Sequence, residues 1–181
     1  MPHFDEPTIK SESVFTGNLI NVQVDTVQLP NGKTATRELV KHPGAVAILA
    51  ITDDNRLVVV EQYRKPLERI TTEIPAGKLE PAEDLMTCAK RELVEETGYT
   101  ADTWTHLVSF YTSPGFADEQ LHLFIAEDLQ AGSARPDEDE FVTMKAITLD
   151  EAWDLMQSGH ICDAKTVTAV YAWQHRLLNN R

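Results

Sequence analysis

The chain has 181 residues, of which 42 % are hydrophobic and 25 % charged, the composition of a folded globular protein rather than a disordered one. Its 29 acidic residues outnumber 16 basic ones, a formal net charge of −13. This excludes bulk electrostatic attraction to nucleic acid or to an anionic membrane surface, since both need basic patches. A phosphate-bearing ligand would have to be met by local cations, either a metal or a few placed arginines.

The opening MPHFDEPTIKSES lacks the basic-then-apolar order of a secretory signal, and no apolar run is long enough to span a bilayer. The default expectation is a cytoplasmic protein. Cys88 and Cys162 lie far apart in helical contexts, which suits buried thiols in a reducing compartment better than a disulfide.

Residues 1 to about 13 are polar and expected to be loosely held. From Val14 to Leu29 the chain alternates apolar and polar, with Ile20, Val22, Val24 and Val27 among polar partners, and predicts a strand. Pro30-Asn31-Gly32 is a turn, and Lys33 to Lys41 reads as the return strand. A lone hairpin is marginal in water. It must pack either on its own domain or across a dimer. Pro43-Gly44 then opens the main domain, which divides the chain at 1–42 and 43–181. AVAILAIT (45–52) is a continuous apolar run, as in a strand buried on both faces. Asp53-Asp54-Asn55 is a turn, and RLVVVEQY (56–63) is the next strand. Of the basic residues after it, Lys65 and Arg69 read as surface solubility. Arg64 is the candidate for a phosphate, because a guanidinium grips two oxygens at once.

The most informative stretch is EIPAGKLEPAEDLMTCAKRELVEETGY (73–99). It predicts a short strand at Glu73–Ile74 broken by Pro75, a loop carrying Gly77, and a helix with Pro81 in its first turn and Gly98 as C-cap. Leu85, Ala89 and Leu93 recur every four residues as a packing stripe. At 100° per residue, Glu92 and Glu96 project almost along that stripe, with Glu95 one position round. Like charges at these spacings cost a helix roughly 0.2–0.5 kcal/mol per pair, and the C-terminal dipole adds to the repulsion. Arg91 can pair with Glu95 and so neutralise one acid. The cluster makes sense if a cation binds it, and all-oxygen ligation suits Mg2+ or Mn2+. A solvated acidic face is the alternative.

Beyond the helix, Trp104–Tyr111 predicts a strand, TSPGFADE (112–119) a loop, and Gln120–Glu127 another strand in which His122 is structural. QAGSARPDEDE (130–140) is a polar loop ending in four acids, and Phe141–Ile147 closes the sheet. Thr148 and Glu151 have the form of a capping box for a helix that Gly159 ends. A last helix spans Ile161 to about Leu178, with Asp163 as N-cap. Trp153 and Trp173 are core or interface aromatics.

Gly77, Glu83, Arg91, Glu92, Leu93, Glu95, Glu96, Gly98 and Tyr99 match, in order and spacing, the Nudix box G-x5-E-x7-R-E-U-x-E-E-x-G-U, with Tyr99 in place of the final aliphatic. The chain thus resembles the Nudix hydrolases. With EIPAG before the helix and SPGFADE after it, it is similar to their ADP-ribose pyrophosphatase branch. Pro114, fifteen residues past the box, is the branch's pointer to ADP-sugars.

The resemblance implies an α/β/α sandwich with a mixed sheet, preceded by a small N-terminal antiparallel sheet and joined as a homodimer that exchanges its N-terminal strands. It implies Mg2+-dependent hydrolysis of ADP-ribose to AMP and ribose 5-phosphate, with Mn2+ as an alternative ion. Glu92, Glu96 and the Ala76 carbonyl would hold the metal. Glu95 would assist catalysis or pair with Arg91. Glu138 or Glu140 on the acidic loop would be the general base. Arg37, Arg64, Gly77 and Glu119 would meet the substrate. Other readings are a Nudix hydrolase of another diphosphate such as NADH or a nucleotide sugar, a non-catalytic ligand sensor, and an acidic interaction protein without metal.

Overall fold

A computed structural model describes residues 4–134 and 141–179. The chain divides into two compact units: Met1–Gly44 with Phe110–Gln120, and Ala45–Ser109 with Leu121–Arg181.

The first unit holds an antiparallel sheet in the order β1 (Thr8–Thr16), β2 (Asn21–Gln28) and β3 (Thr34–Lys41). The hairpin expected from the alternation is therefore three strands, and the polar segment expected to be loose supplies the first of them. The long alternating run is cut by a turn in which Gly17 N donates to Ile20 O (3.0 Å). β1 is then held by its backbone ladder to β2, with irregularities between Thr8 and Lys10 and between Ser13 and Phe15. The second turn is as predicted: Gly32 takes φ 80° and its N–H donates to Leu29 O (2.9 Å). The later segment joins through Val40, whose N–H donates to Phe116 O (2.8 Å).

The second unit is built around β4 (Ala45–Ala50), which runs antiparallel to β7 (Ala76–Lys78) and parallel to β9 (Gln120–Ala131). β8 (Tyr99–Tyr111) lies outside β9, so this sheet is mixed. A second, antiparallel sheet has the order β10 (Val142–Ile147), β5 (Leu57–Arg64) and β6 (Arg69–Glu73). Among the described residues three α-helices follow from the pattern: α1 (Leu85–Thr97), α2 (Leu149–Gln157) and α3 (Ala164–Asn179). Because strand side chains alternate, Val46, Ile48 and Ala50 form one core with Cys88, Ala89 and Leu93 of α1. Ala47 and Leu49 point the other way and are equally buried; α3 packs on β4 and buries Ala169, Val170 and Trp173. This is the expected α/β/α layering.

Several boundaries move. β6 starts at Arg69, and the loop after Pro75 contains a strand, β7. α1 starts at Leu85 and not near Pro81, because Ala82 sits at φ 63°, a conformation no right-handed helix continues. Its N-cap is Asp84, whose carboxylate accepts from Met86 N (3.0 Å) and Thr87 N (3.1 Å). α3 starts at Ala164, with Asp163 accepting from Thr166 N (3.0 Å), as a capping residue should. The Thr148–Glu151 capping box is present. Cys88 is buried but Cys162 is exposed, so only one thiol matches the expectation; neither forms a disulfide. Among the described residues no helix is long and apolar enough to cross a membrane.

Candidate active site

α1 delivers its acids where its own packing stripe points. Glu92 and Glu96 follow Cys88 and Ala89 round the inward face and are only 7 % and 4 % exposed. Glu96 Oε2 accepts the Ala76 N–H of β7 (3.1 Å). The Glu92 carboxylate lies on Gly77: a Cβ built there would stand 1.8 Å from Glu92 Cδ. Only glycine leaves room for this carboxylate against the strand. Gly98 then ends the helix at φ 75° with its N–H on Val94 O (2.9 Å), which fixes how far the acids extend.

Arg91 does more than the sequence suggested. Besides Glu95 Oε2 (2.8 Å), its Nη1 donates to Glu92 Oε1 (2.8 Å). Nε and Nη2 form a fork on Glu83 at 2.9 and 3.0 Å. One guanidinium thus braces three carboxylates, where pairing with a single acid was expected. The guanidinium holds Glu83 down to about 2, and the acids raise Arg91 above its usual value. Glu83 was missed as a partner because it stands eight residues away, beyond the helical i+4 rule, on the turn before the N-cap. Cys88 beside them is pushed up to about 12 by burial and by the Glu83 charge, so it is an inert thiol.

A second buried cluster adjoins this one in sequence. Glu73, at the end of β6, is 3 % exposed. Arg64 forks onto it through Nε (2.8 Å) and Nη2 (2.6 Å), Thr71 Oγ1 donates at 2.6 Å, and Lys165 Nζ donates from α3. Burial pushes the Glu73 carboxyl up, but Arg64, Lys165 and Thr71 outweigh it and bring it down to about 2. The Arg64 guanidinium also feels the charge of Glu96. The sequence signal for Glu73 was faint: an acid directly before an apolar residue and a proline.

The remaining predicted residues have their own partners within their units or fall outside the described chain. In the first unit, Arg37 forks onto Glu6 at 2.7 and 2.5 Å. Glu119 accepts from Thr112 Oγ1 (2.6 Å) and stands 3.8 Å from His42 Nε2. Its neighbour Asp118 takes Lys41 Nζ and the His42 N–H, both at 2.9 Å. His122 hydrogen-bonds Ser109 (2.7 Å) within its sheet. Glu138 and Glu140, like Asp137 and Asp139, fall outside the described residues.

Among the described residues no three His, Cys, Asp or Glu side chains converge as a ready metal cage. The donors available are two buried carboxylates and the backbone oxygens of the Ala76–Gly77 strand. These are hard oxygens, which fit a divalent cation that keeps part of its water shell.

Residues 41–170 match the NUDIX domain, and residues 6–40 match the nucleoside diphosphate sugar hydrolase N-terminal domain. The chain is 55 % identical over 169 residues to a methanol dehydrogenase activator of Bacillus methanolicus, covering 92 % of this chain and 91 % of that one. It is 52 % identical over 172 residues to an ADP-ribose pyrophosphatase of Bacillus subtilis (strain 168), covering 94 % and 93 %. A crystal structure of an ADP compounds hydrolase shares the fold, with a TM-score of 0.85 at 24 % identity over 97 % of this chain and 95 % of that one. Nudix hydrolases generally need a divalent cation. With the box on α1, its acids buried against β7 and the family match over residues 41–170, the chain belongs to the Nudix hydrolases.

Proposed function

We propose that this Nudix hydrolase cleaves the pyrophosphate bond of ADP-ribose, adding one water to give AMP and ribose 5-phosphate. The observation that carries the reading is the burial of Glu92 and Glu96 against Ala76 and Gly77. The B. subtilis relative supports the substrate. Glu92, Glu96 and the Ala76 carbonyl would hold Mg2+, or Mn2+ in its place. When bound, such a cation neutralises pyrophosphate charge and lowers the pKa of a coordinated water. Arg91 restrains Glu92 and Glu95 so that three neighbouring acids can share one helix end. Arg64 grips a phosphate through the part of its guanidinium not engaged by Glu73. Gly77 lets backbone approach the substrate, and Glu119 accepts hydrogen bonds from ribose hydroxyls. Glu138 or Glu140 takes the proton from the attacking water.

The working form is a cytoplasmic homodimer. Its N-terminal region, residues 1–42, is exchanged between subunits ahead of the hydrolase domain at 43–181, and Arg37 reaches the partner's substrate. The test is turnover with Mg2+ across ADP-ribose, ADP-glucose, NADH and GDP-mannose, products resolved by chromatography. ADP-ribose is expected to be the preferred substrate. Turnover of another diphosphate with ADP-ribose left intact would remove the substrate and keep the mechanism.

The B. methanolicus relative favours a second reading, in which the chain raises the activity of a methanol dehydrogenase. Adding the protein to such an enzyme and following its rate decides this, and Glu96→Gln shows whether hydrolysis is needed.

A further inference from the structure

We propose that Glu73 is a positioning residue for hydrolysis: braced by Lys165 of α3, its buried carboxylate fixes the Arg64 fork for a substrate phosphate. This rests on the hydrolytic reading above. A guanidinium on a flexible stem loses rotamer freedom when it grips a phosphate. Glu73 removes that freedom in advance, since the fork engages both carboxylate oxygens through Nε and Nη2. Two of the five guanidinium N–H groups are spent this way. The Arg64 side chain nevertheless keeps 40 % of its surface exposed. It is therefore fixed on one edge and accessible, whereas Glu73 is 3 % exposed and cannot itself meet a ligand.

The brace behind Glu73 is the first turn of α3. Lys165 bridges Glu73 and Asp163, the residue that caps the helix. Thr166 Oγ1 accepts the N–H of Ile74 (3.0 Å), the residue after Glu73. Side chain and backbone are thus tied to α3 at consecutive positions, two residues before Ala76. Surface solubility does not explain a carboxylate buried with two cations, because such a group is costly unless every charge is paired. Two cations, Arg64 and Lys165, face Glu73 and Asp163, and Arg64 also feels the charge of Glu96.

The experiment compares wild type, Glu73→Gln, Arg64→Gln and the double variant. It measures kcat and KM with ADP-ribose, the affinity for ADP by calorimetry with Mg2+, and Tm. Glu73→Gln is expected to lower kcat/KM and weaken ADP binding about tenfold or more, as loss of an orienting partner does. The double variant should be no worse than Arg64→Gln alone, because Glu73 acts through Arg64. Glu73→Asp, which keeps the charge but shortens the reach, should show the same kinetic loss with a smaller change in Tm.

Unchanged kcat/KM and ADP affinity beside a lowered Tm would reduce Glu73 to a structural ion pair and overturn the proposal. So would losses that simply add in the double variant. If wild type turns over no diphosphate, the hydrolytic reading fails by itself, and the ADP affinities still decide the role of Glu73. Wild type that neither turns over ADP-ribose nor binds ADP overturns both.

Discussion

All nine residues of β1 are exposed, whereas β4 is buried along all but its first residue. β4 is specified by the hydrophobic effect on both faces, and shifting it by one residue would change which side chains meet α1. β1 has no such determinant; its ladder to β2 holds it, and Ile9, Val14 and Phe15 remain open to solvent. A strand with three exposed large apolar side chains is a surface that natural proteins normally cover. The hydrolase unit carries its own core, while the N-terminal sheet has only a few buried side chains, such as Val27 and Asp25. This contrast supports the chemistry proposed for the first and the subunit exchange proposed for the second.

Glycine substitutions sharpen the contrast most. Gly77→Ala places a methyl group 1.8 Å from the Glu92 carboxyl carbon. It should cost a hundredfold or more in activity, roughly the upper range for disturbing a metal-site neighbour. Gly32→Ala, at φ 80° with nothing within 4 Å, should cost about 1 kcal/mol of strain and leave kcat/KM unchanged. Equal kinetic losses from both would break the distinction.

Core substitutions come next. Leu93→Ala removes a fully buried side chain and should destabilise by about 2–5 kcal/mol in a denaturant titration. Phe15→Ala in a monomeric sample should stay within about 0.5 kcal/mol. Phe15→Asp should instead shift the mass measured by light scattering from dimer to monomer.

Acid stability follows. The folded pKa of Glu73 lies near 2, below its unfolded value of 4.5. Its contribution is therefore complete above pH 4.5 and is lost as the pH falls toward 2. By linkage this is on the order of 3 kcal/mol, which Glu73→Gln should remove from the pH dependence in that window.

The smallest effect is chemical. A thiol reagent should label exposed Cys162 in the folded protein and reach Cys88 only on unfolding, since burial and Glu83 hold the Cys88 thiol near 12. Equal labelling rates would contradict the packing of α1.

The legible part of this molecule was the part with period and punctuation. The AVAILAIT run, the Thr148–Glu151 box, Gly98 and the inward direction of Glu92 and Glu96 all came from spacing. β1 was not legible, because a strand held by its ladder and by polar contacts such as Thr8 to Asp25 leaves no hydrophobic alternation in KSES. The start of α1 was misread because Pro81 satisfies the rules for a first turn, and nothing local announces that Ala82 takes a positive φ. The Arg91–Glu83 and Glu73–Lys165 pairs escaped because their partners meet only after folding; Glu73 and Lys165 are 92 residues apart.

Glu92 and Glu96, held against Ala76–Gly77, are the proposed hydrolytic site. It is tested most directly by Glu96→Gln in the Mg2+-dependent ADP-ribose assay, with circular dichroism and Tm on the same sample. Wild type is expected to release AMP and ribose 5-phosphate, and the folded variant to lose about a hundredfold or more of that activity. A folded Glu96→Gln protein that keeps wild-type turnover would contradict it.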